Sequence, residues 1–192
     1  MPDLPPWYPD SEESKPAPMP LLLVQGFLNT IEVADQSDQL ADREVAATWL
    51  RSAGLIETRS RLSSRELQQA RDVRAAVRGL LEPGGEEMIP DAGAAALRSL
   101  AADHRARLSV SDAGTVAIEN ARREDLGDAL FELLLIIHGA QEDGSWSRLQ
   151  VCANHECRWV FYDRSRNRQG HWCDMAICGN RIKNRQLRAR RR

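Results

Sequence analysis

Apolar positions recur at helical spacing through most of the chain and change to strict alternation in one short stretch. "DREVAATWLRSAGL", starting at Asp42, reads as a helix with Asp42 as N-cap, Val45, Trp49 and Leu50 on one face and Gly54 as terminator. "SSRELQQARDVRAAVRGLLEPGG" is the cleanest element. Ser63 and Glu66 have capping-box spacing, Leu67, Ala70, Val77 and Leu81 form a stripe, and Pro83 and Gly84 stop it. "PDAGAAALRSLAADHRA" predicts another helix, begun by Pro90 or Asp91. In "RLSVSDAGTVAIEN" the period becomes two: Leu108 and Val110, then Val116 and Ile118, alternate around "DAG", as a hairpin requires. A long helix follows from about Glu124 to His138, with Gly139 as terminator and a turn at "EDGS". Residues 21–33 begin apolar, and periodicity leaves strand and helix equally open there.

These elements predict an α+β chain: a mainly α-helical N-terminal body with a small β-hairpin, and no internal repeat. Residues 1–19, rich in proline and acid, are expected to be a flexible segment, disordered or draped. Residues 20–146 form the body and 147–192 a separate C-terminal module. At 192 residues the chain can build one good core and a small module, not two large domains. "LLLVQGFL" is too short to cross a bilayer, and "LFELLLIIHGA" is short and broken by Glu132. With no basic region and cleavage site at its start, the chain is expected to be cytoplasmic, where thiols stay reduced.

A net charge of −2 conceals a strong asymmetry. Residues 151–192 hold 11 Lys and Arg against 3 Asp and Glu, whereas residues 1–150 hold 15 against 25. A basic end on an acidic body points to a polyanion partner, with a solvated tail as the plain alternative. On a helix, Arg181, Arg185, Arg188 and Arg192 fall on one face, with Ile182, Gln186 and Ala189 on a less charged one. "DRSRNR" adds Arg164, Arg166 and Arg168 ahead of that helix. A row of guanidiniums without acidic partners repels itself unless phosphate neutralises it.

All four cysteines lie in the same basic end. Cys152 and Cys157 form one C-x4-C pair, Cys173 and Cys178 a second, with fifteen residues between. Two short-range pairs joined by a loop are the usual form of a tetrahedral structural zinc site, and four thiolates leave no open position for catalysis. Buried free thiols and disulfides are the competing readings, and a reducing compartment favours metal. His155 and His171 lie beside the ligands as substitutes for a cysteine. "RLQV" and "RWVFY" flank the first pair as strands, giving Val151, Trp159 and Phe161 as an apolar cover.

"WCDMAICGNR", preceded by "FYDRSRNR" and followed by basic residues, resembles the CGNR zinc-finger family over about Leu149 to Arg192. The body is similar to the ABATE domain that accompanies it, on "LVQGFLNT" with Asn29 and Thr30, "WLRSAGL" and "ARDVRAAVRGLL" in order. The resemblance implies a stress-induced transcription regulator with zinc on Cys152, Cys157, Cys173 and Cys178, in a treble-clef-like or ribbon-like finger that binds DNA. Where the family places basic residues before the Trp-Cys, this chain has Gly170-His171, so no phosphate grip is expected at that point.

Gly179 and Asn180 are expected around the metal shell, Gly179 letting backbone N–H groups reach a thiolate and Asn180 orienting it through its amide. Arg181 has two readings, a phosphate contact or a pair with Asp163 or Asp174. Arg164, Arg166, Arg168, Lys183, Arg185 and Arg188 complete the candidate nucleic-acid surface. Trp172 reads as finger core rather than a base-stacking platform. His104 and His138 read as ordinary, and no Ser/His/Asp set or phosphate loop can be assembled, so no enzyme is expected. Asn29 and Thr30 read as a cap at a helix start, or as lining for an effector pocket. The leading expectation is a regulator of double-stranded DNA whose body senses a small molecule or forms a homodimer, away from any membrane. A protein-interaction adaptor or an RNA binder is the alternative.

Overall fold

The fold is taken from a computed structural model, which describes residues 4–9, 14–57, 61–82, 91–122 and 124–180. The expected stop at Pro83 and Gly84, the Pro90 start and the basic helix beyond Asn180 lie outside them. Residues 21–28 resolve to a helix, α1 (Leu21–Leu28), with every residue but Leu23 buried. A helix that is apolar all round belongs inside, which is why periodicity could not classify it.

Four further helices surround α1: α2 (Arg43–Ser52), α3 (Ser64–Leu80), α4 (Asp91–Asp103) and α5 (Leu126–Glu142). Asp42 caps α2 through the N–H groups of Glu44 and Val45, and Ser63 with Glu66 forms the capping box of α3. On α2 the buried face is Ala46, Ala47, Trp49 and Leu50, while Val45 is exposed, a correction to the expected face. Gly54, at φ 71°, ends α2 as expected. Gly139 does not end α5. The helix runs to Glu142, and Gly144 at φ 75° follows it, because a glycine stops a helix only where left-handed backbone is used.

Three two-stranded antiparallel sheets complete the fold. β1 (Ile31–Glu32) and β2 (Ser37–Asp38) are held to α3 by Arg74, whose guanidinium makes two hydrogen bonds of 2.6 and 2.7 Å to Asp38 and one to Thr30. Burial pushes the Asp38 carboxyl up, but Arg74 and the Leu40 N–H outweigh it and hold it below its ordinary value. β3 (Ala106–Val110) and β4 (Val116–Asn120) form the expected hairpin, closed by Gly114 at φ 76°. Its four large apolar side chains, however, face solvent. β5 (Leu149–Val151) and β6 (Val160–Tyr162) form the third pair.

The described part of residues 1–19 lies draped against the body, the second of the two expectations. Tyr8 and Ala17 are buried, Trp7 sits edge-on to Trp49, and a Cβ on Gly26 would meet Trp7 at 2.7 Å. Low average hydropathy hid two aromatic rings with a core to cover.

β6 joins the finger to the body through two buried amides of α1. Asn29 accepts from the Val160 N–H at 2.9 Å and donates to the Val160 carbonyl at 2.8 Å. Gln25 donates to the same carbonyl and accepts from the Ala17 N–H. Asn29 therefore follows the end of α1 and pairs with a strand. It neither caps a helix start nor lines a pocket. Asn29→Leu leaves the Val160 N–H unpaired in the interior and its carbonyl with Gln25 alone, and should cost about 1–3 kcal/mol. Urea unfolding of the metal-loaded protein checks this; a shift below about 1 kcal/mol would show that water replaces the amide.

Candidate metal centre

β5 and β6 act as two arms of a knuckle. Cys152 follows β5 and donates its backbone N–H to the Trp159 carbonyl at 2.8 Å, so the chain between them turns back on itself. Asn154 organises that turn. Its carbonyl accepts the N–H groups of Cys157 and Arg158, and its side-chain oxygen accepts from Glu156. The second pair brackets the start of a π-helical turn, Met175–Gly179: Cys173 precedes it, Cys178 lies in it, and Asp174 between them caps it by accepting the Ile177 N–H at 2.7 Å. Ala153 N–H donates to the His171 carbonyl and ties the halves together.

The four sulfurs converge. Cys157 and Cys173 Sγ lie 3.6 Å apart, Cys173 and Cys178 Sγ 3.7 Å, and all four within 4.8 Å of one another with no disulfide. Tetrahedral zinc with Zn–S near 2.3 Å sets S···S separations of about 3.8 Å, so the donor set fits zinc. Cys152 and Cys178 are buried, Cys157 and Cys173 half-buried, and Phe161, Trp159 and Trp172 pack around them. Trp172 is thus finger core, as expected. Val151 instead packs on the main core. His155 and His171 are exposed and stand outside the sulfur group.

Proximity also sets the charge. Hydrogen bonds from Cys157 and Cys173 hold Cys152 down to about 2, so it takes the first negative charge. Cys157 is pushed up to about 12, chiefly by its hydrogen bond to Cys152, and Cys173 is pushed far up by both neighbours and by burial. Four thiolates at this spacing need a cation, and binding one must release protons.

The shell around the sulfurs differs from the expected one. Gly179 donates its N–H to the Asp174 carbonyl, not to sulfur, and a Cβ there would meet Met175 Sδ at 2.5 Å. Asn180 is exposed at the end of the turn. The amide that reaches sulfur is that of Asn154, which is 1% exposed and donates to Cys178 Sγ at 3.7 Å. The signal was present in "CANHEC": an asparagine inside a ligand-bearing turn, where its side chain bonds local backbone.

Asp163 shapes the arginine loop. One oxygen accepts from the Ser165 N–H at 2.9 Å and the other from the Gly170 N–H at 2.7 Å. Burial pushes this carboxyl up, but the two backbone donors outweigh it and hold it below its ordinary value. A Cβ on Gly170 would meet Asp163 Oδ2 at 2.8 Å, so the clamped loop as built favours glycine at this position. Arg164, Arg166 and Arg168 are exposed on the clamped loop. Arg164 donates to the Pro16 carbonyl and Arg168 to Ser147 Oγ, and among the described residues none of the three pairs with a carboxylate. Arg181, Lys183, Arg185 and Arg188 lie outside the described residues.

Two contacts tie the finger further to the body. Lys15 donates to the Trp172 carbonyl at 2.6 Å and sits 4.6 Å from the centre of the Phe161 ring. Arg78 of α3 donates to the carbonyls of Leu28 and Arg158. Burial, then repulsion from Arg158 and Arg74, lowers Arg78 to about 10. Away from the finger, His104, Asp125 and Asp128 also place donor atoms within 4.8 Å. Both carboxylates there already accept backbone N–H groups at the start of α5.

Asn154→Asp keeps the acceptor for Glu156 but replaces the sulfur donor with a charge that repels thiolate. Zinc affinity, read by competition with a chromogenic chelator, should fall about 10- to 100-fold. An unchanged affinity would reduce Asn154 to a turn residue.

Among the described residues no helix is long and apolar enough to cross a membrane. A comparison with curated proteins returned no match. Residues 148–191 match the CGNR zinc finger, and residues 23–142 match ABATE, described as "Putative stress-induced transcription regulator". With more than half of its length covered by that match, and with four clustered cysteines able to bind zinc in the finger that follows, the chain belongs to the ABATE family.

Proposed function

We propose that this protein is a transcription regulator that binds double-stranded DNA through its zinc-closed finger, with no enzymatic role. The observation that carries the reading is the clamped loop: Asp163 holds the loop of Arg164, Arg166 and Arg168, which are exposed and, among the described residues, without carboxylate partners. Unneutralised guanidiniums on a rigid loop suit phosphate oxygens, because little order must be gained on binding. The charge split supports the same reading, since the acidic body repels the polyanion and leaves the finger as its point of contact. Four cysteine ligands fill a tetrahedral shell, which favours a structural over a catalytic metal.

A small-molecule effector is carried forward on a cleft of about 260 Å³ lined by Leu55, Ile56, Glu57, Asn120, Asp128 and Glu132. The second reading, an adaptor that docks an acidic protein, draws on Met175 and Ile177, which are exposed on the finger's own turn. RNA remains the competing polyanion, since backbone charge does not separate the two.

Binding to duplex DNA should vanish when residues 151–192 are removed, and should weaken steeply with salt. With roughly four to six basic residues of 164–190 on phosphates, log affinity against log salt should have a slope near −4 to −5. Arg166→Ala together with Arg185→Ala should weaken binding to all sequences and reduce that slope by about two. Wild-type slope and affinity in that variant would transfer preference to the adaptor, and tighter binding to single-stranded RNA would transfer it to RNA.

A further inference from the structure

The β3–β4 hairpin turns its amphipathic pattern inside out. Register places Leu108 opposite Ile118 and Val110 opposite Val116, so all four side chains share one face. They are 73%, 50%, 69% and 62% exposed, respectively. Ser109 and Glu119, on the alternate face, are the half-covered positions of the same strands. The hairpin is anchored at its base, where buried Asn120 donates to the Asp128 carbonyl at 2.6 Å and β4 meets α5. Above that anchor, no described residue covers the apolar face.

We infer that this face is the contact between two copies of the chain, packed face to face about a two-fold axis. Size is the first reason. The four side chains expose roughly 400 Å² of apolar surface, the scale at which a patch on a monomer marks a contact site. Matched against a second copy, that supplies about half of the roughly 800 Å² per partner in a standard interface, which suits its dry core. Stability is the second reason. An isolated two-stranded hairpin is marginal in water, and two of them stacked about 10 Å apart make a small four-stranded sandwich with a core of its own.

Charge selects the occupant. Beyond Asn120, which is buried at the base, the face carries only Ala106 and the four aliphatic side chains, so it asks for a flat, dry, aliphatic surface, which it also offers. The charged pair of these strands, Arg107 with Glu119 at 3.5 Å, lies on the alternate face, so neither strand puts a charge on the apolar side. A contact face without charge offers nothing to a strongly acidic or basic partner and suits an isologous contact, in which the same aliphatic patch meets itself. The face lies on the body rather than the finger, so the inference stands whether or not the finger binds DNA. A dimer would carry two fingers.

Sedimentation equilibrium on the full zinc-loaded chain, from about 1 to 100 μM, tests this. Wild type should move from 21.6 kDa toward twice that mass. Leu108→Glu with Ile118→Glu buries like charges in the contact and should raise the dissociation constant at least about 100-fold. Because both positions are exposed in the single chain, the variant should keep its circular dichroism as a folded monomer. Ala117→Lys, on the opposite face, should leave the dimer intact. A wild type that stays monomeric throughout, a dimer that survives the double substitution, or one that Ala117→Lys dissolves would each overturn the assignment.

Discussion

Four thiols held within 4.8 Å of one another cannot all lose their protons in the absence of a cation, and the C-terminal third of this protein is built around that constraint. The knuckle, the β5–β6 pair and the π-helical turn exist to deliver sulfurs to one point. What little apolar material the finger has, Phe161, Trp159 and Trp172, is wrapped around them. A cluster of that size is too small to hold a fold by burial alone. Metal affinity therefore stands in for a core.

The finger nevertheless does not stand apart from the body. Val160 pairs with β5 on one side and with the amides of Asn29 and Gln25 on the other, while Lys15 and Arg78 reach over from the N-terminal segment and α3. α1 thereby touches both the main core and the strand that carries the finger. This gives a physical route between an event in the body and the arginine loop, since Asp163 directly follows β6 and donates its N–H to the Arg148 carbonyl. Residues 164–169 inherit their position from that strand.

Local rules were legible in the sequence wherever a local interaction decides the outcome. The Asp42 cap, the Ser63–Glu66 box, the hairpin turn at Gly114 and the pairing of two C-x4-C units all depend on residues close in the chain. Roles set by distant partners were not legible. Asn29 looked like a helix cap because its partner, Val160, lies 131 positions away. Asn180 looked like the sulfur donor because it adjoins Cys178, whereas Asn154 reaches that sulfur from the other knuckle. Alternation correctly identified β3 and β4 but carries no information on which face meets the body, and here the apolar one does not. The close approach of Gly170 to the Asp163 carboxylate, seven positions away, was likewise not legible before the fold was known.

The whole account rests on a metal closed by sulfur alone. X-ray absorption at the zinc edge, on protein purified under reducing conditions with its metal content quantified, tests this most directly. The account predicts one zinc per chain and four sulfur neighbours at about 2.3 Å. A shell containing nitrogen, which would bring in His155 or His171, or protein without metal and with Cys152 and Cys157 oxidised to each other, would contradict it.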